Sequence, residues 1–292
     1  MLAQLLVNGI IMGCLYALIG LGFGLIYNTT RLFHFAHGAL YTVAAYLFYL
    51  FSISVALPLW LAVILALLLT SFLAVILEKG IYYPFAKAGC SLLILMIASL
   101  ALYIILVNFI ALFFGNETKV LSPGVQKTYH FASVIVTQIQ LLEVFVFLLL
   151  FVAFFFLLKK TSLGRTIRAL RDNPDLVTAL GIDVQRVRWQ VFVLGTLLTS
   201  AAALLSAYDV GIDPYSGLSA LLAGAVAVIV GGIGIFESAS LGGIILGLLQ
   251  SLVIWQTSAK WQEAIVFIVL IFFLLFRPQG LLGKRKRLEE AS

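Results

Sequence analysis

Charge is scarce in this chain. Asp, Glu, Lys and Arg make up only 10% of its 292 residues, where soluble domains carry about 25%. With 63% hydrophobic residues and a mean hydropathy of +1.16, that scarcity excludes a soluble globular core. Cysteine is limited to Cys14 and Cys90. They have no CxxC or metal-ligand spacing and read as small buried residues. There is no GxxxxGK[ST] phosphate loop and no polar stretch large enough for an ATPase, so any ATP-driven step belongs to another chain. Period-two alternation is also missing, which excludes a transmembrane β-barrel.

Ionisable residues are missing from the middle of the apolar runs. Glu143 is read as an interfacial residue opening one run, and Asp209, Asp213 and Glu263 as outer-edge residues. Ion-driven carriers keep carboxylates near the bilayer midplane, so this pattern argues for an external energy source.

What is present is a series of long apolar runs, each able to cross a bilayer as a helix. Spans are expected at about 4–27, 32–50, 55–78, 91–114, 140–158, 189–208, 217–235, 239–256 and 260–276. The expected fold is all-α: a polytopic integral membrane protein of about nine transmembrane helices, with a range of eight to ten, forming one domain over 1–292. Nine spans put the N-terminus outside and the C-terminus in the cytoplasm. Fifteen Lys and Arg then lie inside (Arg31, Lys79, Lys87, seven within 159–188, Arg277 and Lys284 to Arg287), against Lys119, Lys127 and Lys260 outside. That bias orients the chain. The net charge of +6 thus reflects loop topology and anionic lipid headgroups, not nucleic acid. The N-terminal MLAQLLVNGI lacks a basic leader and reads as a retained first span. The outer loop 115–139 carries a turn signal at Pro123-Gly124. Residues 28–40 and Gly231 to Gly243 are candidate breaks, tolerated at membrane depth only where protein or water surrounds them.

One polar segment interrupts the apolar pattern: KKTSLGRTIRALRDNPDLVTALGIDVQRVR, Lys159 to Arg188. In Ser162–Arg171, Leu163, Ile167 and Leu170 share one helical face while Arg165 and Arg168 lie on another. A second helix is bracketed by its own signals. Asn173 suits the N-cap, Pro174 the first helical position, Asp175 the positive end of the helix dipole, and Gly181 the left-handed residue after the last turn. Leu176, Val177 and Leu180 give it an apolar ridge. A two-turn helix is marginal alone because nucleation is costly, so it needs a surface to pack on. A basic anchor on lipid headgroups is one reading of this segment. A coupling helix seated on a cytosolic motor is the other, and the bracketing favours it, since an anchor has no need of it.

Other signals carry structural readings. His34 and His37 lie three apart but lack a third ligand, so hydrogen bonding at a helix end outranks metal binding. The Gly9/Gly13 and Gly243/Gly247 pairs have the GxxxG spacing of close helix packing. Polar residues inside spans are costly in lipid and mark a protein-facing or water-filled path. As a translocation pathway, Asn8, Tyr16, His37, Tyr41, Ser99, Asn108 and Gln250 are the candidates, with an uncharged lining expected.

Five stretches together resemble a known family: NGIIMGCLYALIGLGFGLIY (8–27), FHFAHGALYTVAAYL (33–47), TSLGRTIRALRDNPDLVTALGIDVQRVR (161–188), AVIVGGIGIFESASLGGIILGLL (227–249) and FRPQGLLGKR (276–285). They are similar to the Liv-type H permeases of bacterial branched-chain amino-acid ATP-binding cassette importers. His34 departs from the Asn usual in that family's Asn-Phe-Ala-His-Gly. The resemblance implies an inner-membrane permease with no catalytic residue, metal or cofactor of its own. It also implies a second, M-type permease, two cytosolic ATPases that bind ATP and Mg, and an extracytoplasmic binding protein. In that scheme 159–188 contacts an ATPase through Arg165, Arg168, Asn173, Pro174, Leu176, Val177, Leu180 and Gly181. Permeases for urea or short amides belong to the same wider family, and a stand-alone carrier is the remaining alternative. A membrane enzyme lacks support, because no His/Asp/Glu cluster lies at membrane depth.

Overall fold

A computed structural model of the chain describes residues 2–121, 127–131, 134–256 and 258–283. The Pro123-Gly124 turn and the basic run Lys284 to Arg287 lie outside the described residues. Apolar composition without Pro in the long runs yields long helices. They are α1 (Leu2–Thr30), α2 (Ala36–Tyr49, continued by a π turn over Leu50–Ser54) and α3 (Leu59–Leu77). A second π turn, Glu78–Tyr82, leads from α3 into the short α4 (Tyr83–Lys87). Next come α5 (Leu92–Phe114), a small antiparallel hairpin of β1 (Thr128–Phe131) and β2 (Val134–Thr137), and α6 (Gln138–Lys160). The polar segment forms α7 (Ser162–Asp172) and α8 (Pro174–Ala179). The chain ends in α9 (Val184–Val210), α10 (Ser216–Gly231), α11 (Ser238–Gln256) and α12 (Gln262–Phe276).

Among the described residues, seven helices are long and apolar enough to cross a membrane. α10 and α12 are apolar but shorter. At 1.5 Å per residue, 16 residues reach about 24 Å, less than the roughly 30 Å hydrocarbon core. This is an all-α polytopic membrane protein whose apolar segments include two of less than full span.

α1 forms the centre. Of its most apolar window 78% is buried, against 22% for α6. The difference comes from packing rather than hydropathy, since α6 is the more apolar of the two. Small residues let α1 sit there. The two GxxxG pairs face each other: a Cβ on Gly13 would stand 2.6 Å from the Ile244 Cα, and one on Gly9 2.9 Å from the Leu248 Cα. Backbones this close gain dispersion contacts that lipid cannot supply. The outward faces of α3, α5, α6 and α12 carry large exposed apolar side chains such as Phe72, Phe109, Phe145 and Phe272.

Two helix breaks meet at one end of the bundle. Between α1 and α2 the chain turns at Arg31, in the left-handed region at φ 59°. Between α10 and α11 it opens over 232–237. Asn28 Oδ1 accepts from the Gly234 amide at 2.9 Å, joining the two breaks. After α12, the Leu281 and Leu282 amides donate to Val230 O and Gly231 O, closing the open end of α10. The breaks anticipated within 28–40 and 231–243 are therefore present and tied to protein partners.

Candidate functional site

Most of the polar residues singled out in the sequence fall in two regions, which lie at opposite ends of the bundle. The first is the α7–α8 segment. Thr161 caps α7 by accepting from the Gly164 amide at 3.0 Å. Ile167 and Leu170 are buried beneath it, Leu163 is partly buried, and Arg165 is exposed with Arg168 half-exposed. Arg171, in the last turn of α7, ties the helix to both breaks. Its guanidinium donates to Gly234 O at 2.5 Å, packs over Phe236 and pairs with Asp172, while its own carbonyl accepts from Arg31. Beneath the segment, Arg188 at the start of α9 makes an ion pair with the fully buried Glu78, Nε to Oε1 at 2.7 Å.

α8 follows its local signals. Asn173 Oδ1 accepts from the Leu176 amide at 3.0 Å, Pro174 opens the helix, and Gly181 leaves it at φ 74°. The helix ends at Ala179, with Leu180 as the C-cap, one residue earlier than the sequence suggests. The expected ridge divides. Val177 is buried and anchors the helix to its own bundle, whereas Leu176 and Leu180 are 58% and 70% exposed. Two leucines turned outward on a capped helix leave apolar surface uncovered by this chain.

The second region is a cavity of about 480 Å³. It lies where α1, α6, α10 and α12 begin and α9 and α11 end. Asn8, Tyr16, Tyr41 and Gln250 line it, so four of the seven pathway candidates converge. Gln250 donates to Gln262 O at 3.1 Å, and Gln262 in turn donates to the Tyr16 hydroxyl at 3.3 Å.

The other three candidates lie elsewhere. His37 is fully buried, with Nε2 2.6 Å from Thr199 Oγ1. Ser99 accepts from the Ala36 amide at 3.0 Å, supplying from α5 the cap that the N-cap residue Phe35 cannot give α2, and it also meets His34 Nδ1 at 3.2 Å. His34 additionally contacts the Tyr82 hydroxyl at 3.1 Å. His37 and Ser99 thus hold helices together away from the cavity. Asn108 is exposed on the outer face of α5 and donates back to Ile104 O, one turn earlier. Among the described residues no group of three or more His, Cys, Asp or Glu is placed to hold a metal ion.

The lining departs from expectation. Glu143, read from the sequence as interfacial, is fully buried, and with Asp209 and Glu263 it contributes to an acidic wall. The expected uncharged lining is corrected accordingly. No Lys, Arg or His is among the described lining residues. The reason lies in helix rotation. A capping box of Thr137 and Gln140 sets the first turn of α6, and Glu143 then falls on the buried stripe with Ile139 and Phe147. The box is a sequence signal that could have placed Glu143 inside the helix. The inward face could not be read, because α6 is apolar all round.

Comparison with known proteins places this geometry. A family model described as a branched-chain amino acid transport system permease component matches residues 5–274. The chain belongs to that family. The permease BraD of Pseudomonas aeruginosa is 29% identical over 96% of this chain and 95% of its own. In Methanocaldococcus jannaschii, the probable permease LivH is 31% identical over 99% of this chain and 96% of its own. The probable permease LivM of the same organism is 25% identical over 76% and 68%. Among solved structures, a chain of PsaBC from Streptococcus pneumoniae in complex with Fab matches with a TM-score of 0.50 and 15% identity, covering 97% of this chain and 94% of that one. At that identity it supports the fold alone. Family membership accounts for the multi-pass permease architecture; the acidic wall and the outward leucines are features of this chain's own geometry.

Proposed function

We propose that this chain is the transmembrane subunit of an ATP-driven importer that moves branched-chain amino acids, or similar small polar solutes, into the cytoplasm by alternating access. The observation that carries the reading is α8: a capped helix outside the apolar bundle, with Leu176 and Leu180 turned outward. Two cytosolic ATPases, which bind ATP and Mg, would seat this helix through Asn173, Pro174, Leu176, Val177, Leu180 and Gly181. Arg165 and Arg168 would flank the contact. Movement of α8 would pass through Arg171 to both helix breaks, and so to α1, α2, α10 and α11.

The chain crosses the inner membrane nine times in this reading, with α10 and α12 as short crossings, the N-terminus outside and α7–α8 in the cytoplasm. Lys119, Lys127 and Lys260 then face outward and the basic α7–α9 region inward, in keeping with the positive-inside rule. The cavity opens toward the extracytoplasmic side, where a soluble binding protein would deliver solute. A second permease of the M type would complete the membrane part, a pairing favoured by the LivH and LivM likenesses. The chain itself is one domain, a transporter subunit without catalytic residues or a cofactor.

Reconstitution tests this. Proteoliposomes holding both permeases, the ATPases and the binding protein are expected to take up leucine only with ATP. Leucine uptake by this chain alone, without ATPases, contradicts the reading and favours a stand-alone carrier.

A further inference from the structure

We propose that the cavity is a recognition site for a primary ammonium group, with Glu143 as its charge partner and Gln250 as its neutral acceptor. This rests on the permease reading and narrows its substrate class to amine-bearing solutes, setting aside urea and simple amides.

Unpartnered atoms carry the inference. Both carboxylate oxygens of Glu143, and Oε1 of Gln250, are buried without a hydrogen-bond partner. Glu143 is fully buried and Gln250 is 1% exposed. Among the described residues these are the buried cavity-lining side-chain atoms left without a partner, and all three are acceptors. Gln250 has its amide nitrogen committed to Gln262 O, which leaves its oxygen free for a ligand. A buried carboxylate without partners is costly. Elsewhere in the chain, Arg188 meets that demand for Glu78, whereas among the described residues no cationic side chain lines this cavity.

The missing partner is therefore a donor, and a cationic one. An ammonium offers three N–H donors and no acceptor, matching three free acceptor atoms. Asp209 and Glu263 also line the cavity and add negative potential, which draws a cation into the cleft. A neutral amide also donates N–H groups but leaves the acidic wall uncompensated. The volume, about 480 Å³, suits a solute of amino-acid size.

The test compares two molecules that differ only by the amine: leucinamide and 4-methylpentanamide. The full complex in membrane vesicles is treated with N,N′-dicyclohexylcarbodiimide, and modification of Glu143 is followed by peptide mass spectrometry. Direct labelling does not depend on the binding protein's own selectivity. Leucinamide is expected to slow labelling about tenfold, as expected for pairing a buried charge, with 4-methylpentanamide nearly without effect. Equal protection by both, protection by neither, or equal protection by sodium ion overturns the proposal.

A second arm uses Glu143→Gln, which keeps the shape and removes the charge. Leucine uptake is expected to fall about tenfold at unchanged membrane level and ATPase association, with partial recovery in Glu143→Asp. Uptake by Glu143→Gln close to that of the parent chain counts against it. The two readings fail separately. Uptake without ATPases defeats the importer reading and leaves the labelling result standing. Labelling indifferent to the amine, with ATP-driven uptake intact, defeats this inference alone.

Discussion

The two ends of this bundle treat a buried carboxylate in opposite ways. At the α7–α8 end, Glu78 is matched by Arg188, Arg171 is held by Gly234, Asp172 and Phe236, and Asn28 Oδ1 bridges the two helix breaks. The neutral Asn28 Nδ2 and Gln185 amide are left without partners among the described residues. At the cavity end, Glu143 and the Gln250 oxygen face the cavity without partners. Satisfied polar groups in an apolar chain fix geometry, because each is costly to leave unpaired. A buried carboxylate left unpaired at a cavity marks a place where something from outside can complete the structure. The first end reads as a rigid transmission joint and the second as a receptacle. α8 adds a third condition at the rigid end, since its polar caps are complete while its apolar surface is not.

Substitutions can break or sharpen that contrast. The largest effect is expected from Gly13→Leu. Even its Cβ would stand 2.6 Å from the α11 backbone at Ile244, so α1 and α11 must separate. Folded protein recovered from membranes should drop to a small fraction, read by size-exclusion profile and protease resistance. Next, Arg188→Ala strands the Glu78 carboxylate. Removing one partner of a buried pair costs about 3–5 kcal/mol, so a clear fall in thermal midpoint is expected, partly relieved by adding Glu78→Gln. Glu143→Gln sharpens the contrast from the other end. Because Glu143 has no hydrogen-bond partner among the described residues, removing its charge should leave the thermal midpoint unchanged or raised while uptake falls. Asn173→Ala removes a cap worth about 1 kcal/mol and should lower ATP-driven uptake modestly without affecting insertion. Smallest of all is Asn108→Leu. Asn108 faces outward and bonds only to its own helix at Ile104, so uptake within about twofold of the parent chain is expected for a surface change of this kind.

What was legible in the sequence was what is encoded locally. Apolar runs announced the long helices, and Asn173, Pro174 and Gly181 bracketed α8 to within a residue. The GxxxG pairs announced close packing, though not that they face each other. Rotation about a helix axis was not legible on helices apolar on every side. That is why Glu143 read as interfacial and Asn108 as a lining residue. Pairings across long separations were equally hidden: Glu78 and Arg188 are 110 residues apart, and Arg188 read as one more orienting positive charge. Ser99 illustrates the remaining gap. A polar side chain inside a span can line a path or cap a neighbouring helix, and only the fold distinguishes the two.

The central claim is that α8 transmits ATPase motion to a solute cavity in this chain, and its outward leucines test it most directly. In the reconstituted complex, Leu176→Asp with Leu180→Asp should insert and fold normally, since Val177 still anchors the helix. ATPase co-purification and ATP-driven leucine uptake should both be lost. Normal uptake and normal ATPase association in that double variant would contradict the account.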